Sequence, residues 1–189
     1  EEITSILQYI NGLYTVYTNI LVFDKNGKVI AVSNKNNEYL IGKILTQDWV
    51  EKTLILRDTS KYCVSKFEKS ALYDNESTYI YSSAIRSFKD EKIITGGIAV
   101  VFDSTPQFNA MLDESLPRDI DGNKISGIFA LFTDKDKKII SSTNDNFQVD
   151  SYLNIDDKFF NLKNAQQKSQ IIEMNNKYYA VAVKCSNGY

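Results

Sequence analysis

The sequence predicts an α+β protein made of two related modules in tandem, each an antiparallel sheet with helices, behind one N-terminal helix. The first observation is a repeat. Residues 19–34, NILVFDKNGKVIAVSN, return as residues 127–144, GIFALFTDKDKKIISSTN. At a constant offset of 110 residues, Leu21 meets Leu131, Asp24 meets Asp134, Lys28 meets Lys138, Ile30 meets Ile140 and Asn34 meets Asn144. The same register sets Trp49 against Phe159, and a recurrence on this scale marks a repeated structural unit. The second observation is helical spacing at the start of the chain, and the third is a series of β-rich runs separated by polar turns.

Taken in order, Ile3, Ile6, Leu7, Ile10, Leu13 and Tyr14 follow i, i+3, i+4 spacing and predict an amphipathic helix over residues 1–16. Its stripe has two possible partners, the sheet or a second copy of itself. Residues 17–23 and 28–33 are strands closed by Asp24-Lys25-Asn26-Gly27, because Asn-Gly adopts positive φ at low cost. Residues 41–56 are partly helical, with Asp48 as the expected N-cap of a turn carrying Trp49, Thr53 and Leu54. Residues 61–70, 78–88 and 92–102 form a three-stranded meander. Residues 97–102, GIAVVF, are apolar on both faces and predict a central strand. Ser104-Thr105-Pro106 opens a helix, with Pro expected at its first position.

The domain plan is therefore an N-terminal helix over 1–16, a first module over 17–116, a charged linker over 117–124 and a second module over 125–189. In the second module, strands at 128–132 and 138–142, a helix near 156–162 and a hairpin about Asn175-Asn176 repeat the first. Tyr178 and Tyr179 are read as core. No counterpart of strand 92–102 follows: either the sequence stops before it or this module is a shortened one. The chain opens on Glu1-Glu2 rather than Met, and reads as a piece of a longer protein.

Composition narrows the function. Hydrophobic residues make up 43% of the chain, enough for packed cores. A net charge of −2 supplies no basic field for nucleic acid. There is no histidine, which removes the commonest general base, metal ligand and haem ligand. No cofactor is expected, and the 24 acidic residues show no paired spacing that suggests catalysis. The two cysteines, Cys63 and Cys185, read as semi-buried thiols; a disulfide between modules would need Cα atoms within about 7 Å.

The order helix, hairpin, helical crossover, meander, helix, then the same again, together with NILVFDKNGKVIAVSN, STYIYSSAIRS and GGIAVVFDS, resembles the Cache family. More closely, it resembles the double Cache sensor regions of bacterial chemoreceptors and receptor kinases. The resemblance implies two PAS-like modules in tandem and a periplasmic or extracellular location in a membrane-anchored receptor. It also implies a small-molecule ligand held in the first module, with a signal passed across the membrane. A methyl-accepting chemotaxis receptor is the expected parent. A histidine kinase, a diguanylate cyclase or a ligand-free dimerisation module is the alternative, and a homodimer through the N-terminal helix is a possible assembly. In the amino-acid-binding branch of the family, Trp49 fits the crossover tryptophan and Asp103 falls near the strand-end aspartate, whereas Gln47 and Val50 replace its Arg and Tyr. The ligand classes are then amines, amino acids and carboxylates. The site candidates are Trp49, Tyr81 and Ser83 on the middle strand, Arg86 as an anion partner, and Asp103.

Overall fold

A computed structural model describes residues 2–162, 166–174 and 176–185. The chain divides into two units, 1–107 and 108–189. The architecture is α+β with antiparallel sheets and an N-terminal helix, as the sequence predicts.

In unit 1, α1 (Glu2–Leu13) turns Leu7 and Ile10 onto the sheet. They pack with Ile20, Val22, Ala31, Ile98 and Val100. The outer face of α1 leaves Ile3, Ile6, Tyr9 and Leu13 exposed. The hairpin of β1 (Tyr17–Asp24) and β2 (Val29–Val32) follows. Its turn is set by Asp24, whose Oδ1 accepts from the main-chain N–H of Asn26 at 2.8 Å and of Lys28 at 3.0 Å. Gly27 supplies the positive φ of 76° that this turn demands.

The rest of the sheet comes from β3 (Cys63–Val64), β6 (Ile80–Arg86) and β7 (Ile94–Phe102), in the order β2-β1-β7-β6-β3, antiparallel throughout. The apolar run in β7 thus lies at the centre, with Ala99 and Val101 fully buried. Gly97 is needed there, because a Cβ would strike the ring of Phe23 on the neighbouring strand. On the face opposite α1 lies α2 (Asp48–Leu54), over a core that includes Leu21, Phe23, Trp49, Ile80 and Val101.

The helices and strands depart from the sequence reading in three places. Asp48 is the first helical residue rather than the N-cap; Gln47 holds that position and makes no side-chain cap bond. Asp48 instead accepts from Lys52 one turn on, at 2.8 Å. The expected strand over 61–70 breaks after Val64, because the Ser65 hydroxyl, not a carbonyl, receives the Ile80 N–H at 2.9 Å. The chain then leaves the sheet, and β4 (Glu68–Lys69) pairs apart with β5 (Ser77–Thr78). The helix after β7 is α3 (Ser104–Ser115), so Pro106 sits third in its first turn, where an N–H has no helical partner to lose.

Unit 2 repeats the local chemistry. Asp134 Oδ1 accepts from the main-chain N–H of Asp136 and of Lys138, both at 2.9 Å. Lys137, 110 residues after Gly27, has a φ of 67°. Asn34 and Asn144 each accept from the N–H two residues on. Hairpins β8 (Leu131–Thr133) with β9 (Ile139–Ser142) and β10 (Gln167–Met174) with β11 (Lys177–Lys184) form separate two-stranded sheets. They share a core with Phe159 of α4 (Asp157–Phe160). In unit 1 the central β7 lies between β1 and β6; among the described residues of unit 2 no strand occupies the equivalent place. Tyr179 enters the core with Val181 and Val183. Tyr178 does not: strand alternation turns it outward, and it is 75% exposed. Neither cysteine forms a disulfide. Among the described residues no helix is long and apolar enough to cross a membrane.

Candidate functional site

Strand alternation sorts the candidate residues before any ligand is considered. The Ser82 hydroxyl lies 2.6 Å from Thr53 Oγ1 on α2, and Thr53 also donates to the Trp49 carbonyl at 2.7 Å. Ser82 therefore faces α2, and its neighbours Tyr81 and Ser83 face the other way. Tyr81 is half-buried in an aromatic group on that far face, with ring centroids 6.4 Å from Tyr62, 6.5 Å from Tyr79 and 6.3 Å from Phe102. Ser83 donates to the Lys61 carbonyl at 3.3 Å.

Trp49, Arg86 and Asp103 belong to the α2 side, but in three places. Trp49 is fully buried, edge-on to Phe23 with centroids 5.8 Å apart. Full burial of such a side chain contributes on the order of 2–3 kcal/mol, and here it joins helix to sheet. Asp103 follows the end of β7. Its Oδ1 accepts from the Tyr73 hydroxyl at 2.7 Å, and that hydroxyl in turn accepts from the Thr105 N–H at 3.2 Å. Burial, and then the adjacent Asp103 carboxylate, hold the Tyr73 phenol above its ordinary range.

Arg86 pairs with Ile94 at the opposite end of β7, beyond a register shift that follows Ile85. Its guanidinium donates to the carbonyls of Leu56, at 2.5 Å, and Glu91, at 2.7 Å. Asp103 lies nine residues beyond Ile94, so Arg86 and Asp103 stand roughly 30 Å apart along the strand. No single small molecule touches both. Arg86 instead lines an open cleft of about 540 Å³ with Leu56, Arg57, Asp58, Thr59, Glu91, Lys92 and Ile94.

Several participants were missed by the sequence reading. Tyr73 had no signal as a partner for Asp103, since the contact joins residues 30 apart through a loop. The cleft cations Arg57 and Lys92 lie in polar turns, where charge usually marks only solvation. The polar group formed by Asn19, Ser33 and Asn37 is buried and internally bonded. It fixes the β1–β2 hairpin to the following turn rather than offering a site. Burial raises the Cys63 thiol above its usual range, away from the thiolate form.

The comparisons with known proteins match this architecture. The family model described as the WalK sensor protein kinase Cache domain matches residues 2–101, all within unit 1. The chain belongs to this Cache family. Among solved structures, an extracellular ligand binding receptor from Desulfohalobium retbaense is similar with a TM-score of 0.68 and 12% identity, covering 96% of this chain and 32% of that one. The ligand-binding domain of the Campylobacter jejuni chemoreceptor Tlp3, in complex with L-valine, gives 0.59 and 19%, covering 93% and 64%. The sensor domain of the V. cholerae histidine kinase DctB gives 0.53 and 18%, covering 76% and 48%. This chain thus spans from about a third to just under two thirds of the length of those structures. No curated protein matches it. At these identities the structures establish the fold, which is that of Cache-type extracytoplasmic sensor domains.

Proposed function

We propose that this Cache chain is the extracytoplasmic sensing region of a membrane-anchored receptor, of chemoreceptor or sensor-kinase type, and that unit 1 binds a small molecule on the α2 side of its sheet. The observation that carries the reading is the coincidence of the family match, residues 2–101, with unit 1. Its work is recognition rather than catalysis, a reading supported by the sensor family and by a sequence without histidine. Amines, amino acids and carboxylates are the ligand classes to screen. Asp103, held by Tyr73, suits a cationic group, and Arg86 suits an anionic one. Trp49 supports the helix from within. Tyr81 and Ser83 belong to the far face and would meet a different partner from the one sensed near α2.

The assembly proposed is a homodimer through α1, whose exposed Ile3, Ile6, Tyr9 and Leu13 form a second apolar stripe. A thermal-shift screen of amino acids, amines, carboxylates and nucleobases tests the sensing role, because a ligand that binds only the folded state raises the melting midpoint by mass action. A hit weakened by Asp103→Asn or Arg86→Lys is the expected result. A broad library that shifts nothing would favour a ligand-free module, a reading supported by the filled core around Trp49.

A further inference from the structure

We infer that the cleft at Arg86 is a binding site for a small organic carboxylate, with Arg57 and Lys92 as its second and third cations. The inference rests on the reading that unit 1 senses a small molecule, and it names the chemical class for one end of the sheet. Three observations converge. First, the Arg86 guanidinium is oriented by two main-chain carbonyls, Leu56 at 2.5 Å and Glu91 at 2.7 Å. Carbonyl oxygens fix direction, but they do not neutralise charge. Among the described residues no carboxylate lies within ion-pair distance of Arg86, and its enclosed Nε–H has no hydrogen-bond partner. The nearby exposed Asp58 carboxyl is held down first by the Ser60 N–H and in part by the charge of Arg86, at longer range. A guanidinium taken partly out of water with only an exposed carboxylate at longer range is incompletely compensated, and an anion bound in contact with it removes that cost.

Second, the charge of the cleft is positive. Arg57, Arg86 and Lys92 face Asp58 and Glu91. Asp58 Oδ1 accepts from both the N–H and the hydroxyl of Ser60, at 2.8 Å each, bonds that orient the carboxylate and leave its charge in place. Three cations thus face two carboxylates, and the cleft keeps one positive charge in excess. Arg57 and Lys92 are exposed and make no ion pair among the described residues. Third, Leu56 and Ile94 are half-buried walls of the same cleft. Apolar walls next to a planar, forked cation favour a carboxylate attached to a short hydrocarbon over a bare inorganic oxyanion. The volume of about 540 Å³ leaves ample room for such a molecule.

The test uses the 189-residue chain, ¹⁵N-labelled, at constant ionic strength, with butyrate, butyramide and inorganic phosphate as probes. Butyrate should move the Arg86 Nε–H resonance in a saturable way and raise the melting midpoint, whereas butyramide should do neither. Phosphate should bind more weakly than butyrate. Arg57→Gln combined with Lys92→Gln should weaken butyrate about tenfold without changing the melting midpoint of the ligand-free protein, because both side chains are exposed and hold nothing in place. Arg86→Lys should lose butyrate while keeping the charge. If that variant unfolds, the double variant still decides. Equal responses to butyrate and butyramide, or phosphate binding as tightly as butyrate, would overturn the inference. So would a butyrate response that leaves Arg86 unmoved. A different ligand class that binds equally well to the double variant overturns this inference alone and leaves the sensing role standing. A screen in which nothing binds removes both.

Discussion

Trp49 is the only tryptophan in the chain and is 1% exposed. Its emission should lie toward the blue, resist quenching by acrylamide, and move to the red as urea unfolds unit 1. Trp49→Ala should cost about 3–5 kcal/mol, read as a lower urea midpoint by circular dichroism; a loss below about 1 kcal/mol would mean that the position is not packed core. Gly97→Ala should also destabilise, by about 1–3 kcal/mol, because the new methyl meets Phe23 Cε2 at 2.7 Å. Tyr73 gives a pH signature. Its phenol is raised in the folded protein, first by burial and then by Asp103. The stabilising contact is therefore complete below the unfolded tyrosine value of about 10 and is lost as pH rises through the higher folded value. Urea midpoints measured on the alkaline side should fall more steeply for the wild-type chain than for Tyr73→Phe. Parallel curves would show that Tyr73 is not the group responsible.

At the scale of elements, what could be read in advance was what depends on neighbours in sequence. Asp24 and Asp134 each gather two N–H groups from their own turn, so the repeat was visible as letters before it was visible as bonds. Tyr81 and Ser83, two residues apart on β6, share a face by alternation, but alternation alone does not say which face meets α2. That was decided by Thr53 and Ser82, 29 residues apart. The break after Val64 was also hidden, since it depends on a serine hydroxyl taking a ladder bond. The cleft was the least legible feature. It needs a register shift after Ile85 and a carbonyl 30 residues away, that of Leu56, beside the Glu91 carbonyl of the adjoining turn, and neither the shift nor the long-range contact leaves a pattern in the sequence. For α1, the proposed dimer predicts that Ile6→Glu with Leu13→Glu shifts sedimentation from dimer to monomer while the far-ultraviolet circular dichroism is kept. Unchanged sedimentation would argue against this helix as the contact.

At the scale of the molecule, the division at residue 107 and the two separate cores predict two unfolding events rather than one. A fragment covering residues 1–116 should fold alone and keep the blue emission of Trp49. The event missing from its urea curve should be the one belonging to unit 2. A fragment that shows no cooperative transition would mean that unit 1 depends on the rest of the chain.

The central strand carries its neighbours on both sides. Ala99 and Val101 of β7 are set into the core beneath α2, while Ile98 and Val100, alternating with them, are pressed against α1. The two rows share one backbone, so any shift of β7 against its neighbours would carry both rows together. Such a shift would reach α1 through Ile98 and Val100 without a separate lid or hinge. A layer one strand thick is itself the lever arm, and its stiffness comes from ladder bonds to β1 and β6.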